Sequence, residues 1–176
     1  MKTKIVSLIL AFSALTTIPA LAADIYLVRH AEKELDGSKD PDLTETGRKR
    51  AENLAAMLRS ADIKRIFCTD YLRTRKTAVP MNEIVGTEME LYDPKALEVL
   101  AQQLLELEEN ALVVGHSNTT TDLVTHLGGK AGPPIVEAWE YDRLYLLQTQ
   151  NGQVTRTILL HLPPATEPPP EVPGDS

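Results

Sequence analysis

Residues 24–31 read Asp-Ile-Tyr-Leu-Val-Arg-His-Ala, a short apolar run that ends in two basic side chains. Branched and aromatic residues in a run of this length predict a buried β-strand. The segment Arg29-His30-Ala31 then follows at the carboxyl end of that strand. The fold that contains this strand is predicted from the pattern of the residues that follow it.

The chain beyond this strand alternates between strand-like and helix-like stretches. Three further apolar runs predict strands at residues 64–68, 88–92 and 111–115. A final pair of strand-like runs flanks Asn151-Gly152, a dipeptide typical of a two-residue hairpin turn. This pair covers residues 143–149 and 154–162.

Four helices are predicted between these strands, each from an end signal or an apolar face. Thr44 caps the first helix, whose apolar face consists of Ala51, Leu54, Ala55 and Leu58, and the second helix covers 70–79 and stops at Pro80. The third helix starts at Asp93-Pro94, and its apolar face consists of Leu97, Leu100, Ala101 and Leu104. Ser117 or Asn118 caps the fourth helix, which ends at Gly128-Gly129. The alternation predicts an α/β fold, a three-layer α/β/α sandwich around a mostly parallel central sheet.

Ligands of such sheets bind outside the carboxyl ends of the strands. Polar residues follow the predicted strands at this place: Arg29 and His30, then Thr69 to Arg73, then Asp93, then His116. Arginine forks bind phosphate oxygens in pairs, and a neutral imidazole is a nucleophile near neutral pH. A second imidazole, when protonated, stabilises negative charge on phosphoryl oxygens. The set therefore predicts phosphoryl transfer, which needs positioning and charge stabilisation but no metal ion.

The same segments resemble the histidine phosphatase superfamily, also called phosphoglycerate mutase-like. Leu27-Val28-Arg29-His30-Ala31 is similar to its signature strand, with Ala31 in the usual place of Gly. Three more segments match in the family's order: Leu43 to Ala51, with Arg50 in the usual place of Gln, then Arg73 to Ala78, then Val113 to Ser117. The resemblance covers about residues 24–162 and implies the phosphoglycerate mutase-like fold.

The resemblance also implies a role for each matching residue. His30 would be the nucleophile that becomes phosphohistidine, and Arg29 and Arg73 would clamp the phosphate. His116 would hold a phosphoryl oxygen and stabilise the transition state. Arg75 is the alternative to Arg73, which is preferred because it lies closer to the strand end and fits the family's spacing.

Two carboxyl groups are candidates for the proton donor to the leaving oxygen. Asp93 aligns with a Glu of the family and is nominated by the resemblance as the catalytic acid. Asp93-Pro94 is also an ordinary helix cap, and a capping carboxylate is stabilised in its charged form. Glu32, two residues beyond His30, is the other candidate, and a site without a carboxylic acid is the third option.

The composition limits the partners of the chain. With 18 basic and 25 acidic side chains, its net charge of −7 gives no general attraction to nucleic acid or to an anionic membrane. We expect a small phosphorylated substrate in a local basic pocket, with no cofactor and no metal. A zinc site on His30 and His116 would need carboxylate or thiolate ligands, and the two arginines would repel the cation. Cys68 is expected to be a buried structural thiol.

The two ends of the chain differ in composition from the middle. Residues 1–22 combine a positive start, an apolar run and the small-residue triplet Ala20-Leu21-Ala22, the pattern of a cleaved signal peptide. The pattern predicts a periplasmic or secreted protein that leaves the membrane after cleavage; an uncleaved anchor is the alternative. Residues 163–176 hold six of the twelve prolines, which predicts a disordered tail after a domain that covers 23–162.

We therefore expect a phosphoric monoester hydrolase of the histidine acid phosphatase type, acting through phosphohistidine on His30. Two alternatives use the same fold: a phosphate-group binding module without turnover, and a protein phosphohistidine phosphatase. A phosphoglycerate mutase is disfavoured, because the chain is short and carries an export pattern. The loops 32–43 and 128–141 would set the substrate, whose identity does not follow from the sequence, and neither does the oligomeric state.

Overall fold

The apolar run that begins at Asp24 forms the first strand of the sheet, as predicted. A computed structural model describes residues 22–168 and, within them, six strands and four helices. In chain order the elements are β1 (Ala22–Arg29), α1 (Glu45–Leu58), β2 (Ile63–Cys68), α2 (Leu72–Val85), β3 (Met89–Leu91), α3 (Leu97–Leu105), β4 (Asn110–Gly115), α4 (Ser117–His126), β5 (Arg143–Gln150) and β6 (Gln153–His161). Each predicted element is present, although several boundaries differ.

The six strands form one sheet in the order β3-β2-β4-β1-β5-β6. The strands β1 to β4 run parallel to one another, because β1 pairs with β4, and β2 pairs with both β4 and β3. The hairpin of β5 and β6 is antiparallel and joins the sheet along the other side of β1. The prediction of a mostly parallel central sheet is thus confirmed, with an antiparallel pair at one edge.

Helices cover both faces of the sheet, because alternate side chains of β1 point to opposite sides. Ile25 and Leu27 pack in one hydrophobic cluster with α3 and α4. Tyr26 and Val28 pack in a second cluster with α1 and α2. This two-residue alternation of a strand that is buried on both faces produces the three layers of the fold.

The helix α2 does not stop at Pro80, which corrects the prediction of a helix over 70–79. It continues to Val85 with Pro80 inside it. A proline removes one backbone hydrogen bond, but the residue after it, Met81, is fully buried and offsets that loss. Gly86 caps the end of the helix, and its φ of 67° is the left-handed conformation that glycine adopts without strain.

The predicted start of the third helix at Asp93-Pro94 is also corrected. The Asp93 carboxylate accepts from the backbone N–H of Lys95 at 2.9 Å, and its carbonyl accepts from Ala96. These bonds close a turn of the kind that aspartate forms with its own backbone. The helix α3 begins only at Leu97.

The ordered domain continues past the predicted boundary at residue 162. The carbonyl oxygen of Pro163 accepts from Asn53 at 2.9 Å, and Thr166 donates to the carboxylate of Asp142 at 2.8 Å. The first residues of the predicted tail are therefore bound to the domain. The rest of that tail beyond residue 168, and the predicted signal peptide up to residue 21, lie outside the described residues. Among the helices that are described, none is long and apolar enough to cross a membrane.

Candidate active site

Neighbouring parallel strands end side by side, and the two candidate histidines follow two of them. Arg29 lies opposite Gly115 in the register of β1 and β4, and the backbone N–H of His30 donates to the Gly115 carbonyl at 2.8 Å. The rings of His30 and His116 consequently lie edge to face, with centroids 5.4 Å apart. The sheet thus brings the two predicted histidines together.

Both histidines line a cleft of about 340 Å³ that carries a local excess of positive charge. Lys33, Arg73 and Lys95 supply three permanent cations among the lining residues. The cleft also receives the first turn of α4, and helix N-termini favour anions. Glu137 is the single carboxylate among the described lining residues. A local basic pocket therefore exists in a chain whose net charge is −7.

The nucleophile candidate His30 is held in one tautomer by its own loop. Its side chain is buried, and Nδ1 lies 2.8 Å from the carbonyl oxygen of Ala31. A carbonyl can only accept, so Nδ1 carries the proton and Nε2 carries the lone pair. Burial is the main cause that lowers the pKa of His30 to about 3; the hydrogen bond to Ala31 opposes it, and the positive charges of Arg29 and Arg73 add to it. The imidazole is therefore neutral and nucleophilic throughout the physiological pH range.

The tautomer of His116 is fixed by two threonine hydroxyls. Thr74 Oγ1 donates to the carbonyl oxygens of Thr69 and Tyr71, so it accepts from Thr69 Oγ1 at 3.0 Å. Thr69 Oγ1 lies 2.9 Å from His116 Nε2, which must then be the donor. The lone pair of His116 is thus on Nδ1, 3.5 Å from Nη2 of Arg73.

The surroundings of His116 disfavour the protonated form of its ring. Burial, followed by the positive charges of Arg73, Arg29 and Lys33, lowers its pKa to about 4. The ring is therefore neutral near pH 7 while only these groups surround it. An anionic group in the cleft would offset the same charges and bring a proton to Nδ1, which would then donate to that anion.

Of the two arginines of α2 considered for phosphate binding, only Arg73 lines the cleft. Its Nη1 approaches Asp40 at 3.5 Å, and its buried Nε has no partner among the described residues. Arg75 pairs instead with the exposed carboxylate of Asp70 at 2.6 Å, away from the cleft lining. The structure thus places the preferred arginine, and not the alternative, in the site.

Arg29 lies behind the cleft and does not line it. Its terminal nitrogens donate to the carbonyl oxygens of Glu137 at 2.8 Å and Glu140 at 2.9 Å, and its guanidinium carbon lies 3.9 Å from the ring centroid of Tyr141. The buried Nε has no hydrogen-bond partner among the described residues. Arg29 therefore holds the loop 136–141 beside the histidines, in addition to any contact with phosphate.

The two proton donor candidates are not positioned for that role. Asp93 is exposed and closes the turn before α3, and it does not line the cleft. The carboxylate of Glu32 is paired with the guanidinium of Arg50 at 2.6 Å and does not line the cleft. Sequence reasoning missed Glu137, which lies in a predicted loop without periodicity; the nearest signal was the aromatic pair Trp139 and Tyr141.

The loop after His30 is clamped by residues of the matching helix segments. Thr77 Oγ1 accepts from the backbone N–H of Ala31 at 2.9 Å. The backbone N–H of Thr44 donates to the Glu32 carbonyl at 2.9 Å, and a Cβ at Gly47 would collide with that same oxygen. Thr44 and Thr77 thus hold the backbone that follows His30 by hydrogen bonds, and Gly47 lets α1 approach that backbone closely.

Comparisons with known proteins find partial sequence similarity to one family and a shared fold. The profile of the "Histidine phosphatase superfamily (branch 1)" matches residues 25–98. A probable phosphoglycerate mutase GpmB of Photorhabdus laumondii is 37% identical over 81 residues, which cover 43% of this chain and 37% of that protein. A probable phosphatase of Schizosaccharomyces pombe is 39% identical over 66 residues, covering 34% and 32%. The matches thus span well under half of these relatives.

Solved structures share the fold over nearly their whole length. The protein histidine phosphatase SixA complexed with tungstate superposes with a TM-score of 0.64 at 18% identity, covering 78% of this chain and 96% of that one. A mycobacterial glucosyl-3-phosphoglycerate phosphatase gives a TM-score of 0.61 at 15% identity, covering 80% and 98%. At these identities the likeness concerns the fold alone.

Proposed function

We propose that this chain, which belongs to the histidine phosphatase superfamily, hydrolyses phosphate monoesters through a phosphohistidine intermediate on His30. The observation that carries the proposal is the hydrogen bond from His30 Nδ1 to the Ala31 carbonyl, because it leaves the lone pair on Nε2. A neutral imidazole beside a cleft lined with cations suits attack on a phosphoryl group, whose charge those cations stabilise.

In the first step, Nε2 of His30 forms a bond to phosphorus while the bond from phosphorus to the leaving oxygen breaks. Arg73 binds non-bridging oxygens, Arg29 adds positive charge from behind the cleft, and the dianion brings a proton to Nδ1 of His116. Glu137, the carboxyl group that lines the cleft, gives its proton to the leaving oxygen. The products are the free alcohol and phosphohistidine.

In the second step, water attacks the phosphorus atom and the bond from phosphorus to Nε2 breaks. Glu137, now a carboxylate, accepts a proton from the attacking water and returns to its acid form. Nδ1 of His30 keeps its proton and its bond to the Ala31 carbonyl through both steps, so the ring needs no rearrangement. Inorganic phosphate then leaves the cleft.

We propose a small phosphorylated substrate and action outside the cytoplasm. The basic cleft supports the first point, and the signal-peptide pattern of residues 1–22 supports the second. A phosphohistidine side chain is the second substrate to test, because SixA is named as a protein histidine phosphatase. Interconversion of phosphoglycerates is the third, because the similar bacterial relatives are named as probable mutases.

The proposal is tested by the hydrolysis of 4-nitrophenyl phosphate, with and without a chelator, by wild type and His30→Ala. We expect turnover that survives the chelator and falls about 10³-fold or more in His30→Ala. His161→Ala is the matched control, because His161 is an exposed histidine that pairs with Asp142. Wild-type enzyme quenched during turnover should carry phosphate on His30, in an acid-labile and base-stable bond.

Each outcome of this experiment separates two interpretations. Full activity in His30→Ala would rule out the phosphohistidine mechanism. Absence of turnover with all three substrates, combined with micromolar binding of tungstate, would replace the hydrolase with a phosphate-group binding module. Conversion of phosphoglycerates without release of phosphate would identify a mutase.

A further inference from the structure

Arg50, on α1, connects the loop of His30 to the C-terminal segment of the chain. It is a buried cation, 2% exposed, in the place where the resembling family usually has Gln. Its Nε and Nη2 donate to the carboxylate of Glu32 at 2.6 to 3.1 Å. Its Nη1 donates to the carbonyl oxygens of Leu162 at 2.9 Å and Pro164 at 2.8 Å.

The Glu32 end of this connection lies next to the reacting group. Glu32 directly follows Ala31, whose carbonyl holds Nδ1 of His30. A shift of the backbone at Glu32 therefore moves the acceptor that fixes the tautomer and orientation of the His30 ring. The Glu32 carbonyl is itself held by Thr44, so the carboxylate and the backbone of this residue are both tied to α1.

The other end of the connection is a short segment that we call the C-terminal strap, residues 162–166. The backbone N–H of Leu162 donates to the Asp142 carbonyl at 2.7 Å, and Asn53 donates to the Pro163 carbonyl at 2.9 Å. Thr166 closes the strap by donating to the Asp142 carboxylate from both its backbone and its hydroxyl. The strap thus offers Arg50 two carbonyl acceptors in a fixed position.

The number of N–H donors in the side chain explains why position 50 carries Arg. The side-chain amide of Gln has two N–H donors, which cannot serve a carboxylate and two carbonyls at once, whereas the guanidinium has five in a planar fork. A buried guanidinium that lost either group of acceptors would leave unpaired donors or an unpaired charge. The strap and the Glu32 carboxylate are therefore needed together, and each stabilises Arg50 in the geometry that the other requires.

We propose that Arg50 is a positioning residue for the reaction at His30, and that the docked C-terminal strap holds it in place. This inference rests on the proposed function for its kinetic consequences and on geometry alone for its effect on the His30 ring. Displacement of the strap or neutralisation of Arg50 frees Glu32 and, through Ala31, the His30 imidazole. The expected kinetic effect is on kcat, because Arg73 and His116 still bind the phosphoryl group.

The test uses full-length Arg50→Gln and, to undock the strap without changing Arg50, the double variant Asn53→Ala/Thr166→Ala. Lys49→Gln is the matched control, because Lys49 lies on the same helix in an exposed pair with Glu52. For Arg50→Gln we expect kcat to fall about ten- to a hundredfold, with tungstate affinity within about threefold of wild type. The strap variant should show a smaller loss of the same kind, and combining it with Arg50→Gln should add little further loss.

A spectroscopic readout separates this inference from the proposed function. The ¹⁵N chemical shifts of His30 should report a single Nδ1–H tautomer in wild type and Lys49→Gln, and a mixture in Arg50→Gln and in the strap variant. Such a mixture in a chain without phosphatase activity would support the positioning role and contradict the proposed function. Unchanged His30 shifts together with unchanged kcat in folded Arg50→Gln would overturn the inference.

Discussion

His30 donates from Nδ1 to the carbonyl oxygen of Ala31, the next residue in the chain, at 2.8 Å. In many enzymes a distant carboxylate orients the imidazole, but here the orienting acceptor is part of the same loop. The backbone N–H of Ala31 is held in turn by Thr77 of α2. The His30 imidazole is therefore oriented by the backbone of one residue, Ala31, and that residue is held from the helix that also carries Arg73.

The pH profile should follow the two lowered histidine pKa values. His30 must be unprotonated, and its pKa of about 3 keeps it so down to about pH 4. His116, with a pKa of about 4, must gain a proton with the substrate, and this uptake becomes harder as the pH rises. We expect kcat/KM to be higher near pH 5 than near pH 8, and His116→Gln to flatten the fall between them. An optimum above pH 8 in wild type would contradict this assignment.

The role of Glu137 should appear in the dependence of rate on the leaving group. Glu137→Gln should lower kcat about 10²- to 10⁴-fold for an alkyl phosphate, whose alkoxide needs a proton, and much less for 4-nitrophenyl phosphate. Asp93→Asn should leave both rates close to wild type, because Asp93 closes a turn and does not line the cleft. If Asp93→Asn showed the leaving-group effect and Glu137→Gln did not, the two assignments would be exchanged.

The two arginines of α2 should differ in their effect on phosphate binding. Arg73→Ala removes a cation that lines the cleft and should weaken tungstate binding by about tenfold or more in calorimetry. Arg75→Ala removes an exposed pair with Asp70 and should change the affinity little. Equal losses in the two variants would show that the cleft geometry does not decide which arginine binds the anion.

Gly47→Ala should destabilise the fold, because its Cβ would collide with the carbonyl oxygen of Glu32. The clash is with backbone, which cannot rotate away, so we expect a loss of about 1–3 kcal/mol in the free energy of unfolding. Urea denaturation measures this change, with Glu52→Ala on the exposed face of the same helix as the control. A stability equal to wild type would mean that the loop after His30 can move away without cost.

The residues that follow the ends of strands could be predicted from the sequence, because the apolar runs mark the strands clearly. His30, His116 and Arg73 were found in this way, and the topology then brought them to one edge of the sheet. Glu137 could not be found, since its position depends on a loop without periodicity. Carbonyl oxygens of that loop accept from Arg29, a contact between residues more than a hundred positions apart.

The C-terminal strap was missed for a different physical reason. Proline-rich segments lack apolar side chains to bury and backbone N–H groups to donate, which is why residues 163–176 are predicted to be disordered. Prolines keep their carbonyl oxygens, however, and those of Pro163 and Pro164 accept from Asn53 and Arg50. Amino-acid composition indicates how much apolar surface a segment can bury, but it does not indicate whether its carbonyl oxygens will find hydrogen-bond donors. The binding of the C-terminal strap to the domain could therefore not be predicted from composition.

The central place of β1 in the sheet constrains the order in which the chain can fold. Its two neighbours are β4 and β5, so Ile25 pairs with Ala111 on one side and with Leu147 on the other. A ribosome must therefore deliver most of the chain before its first strand finds either partner, and contacts of such long range form slowly. Until then the segment that bears His30 has no partner strand on either side.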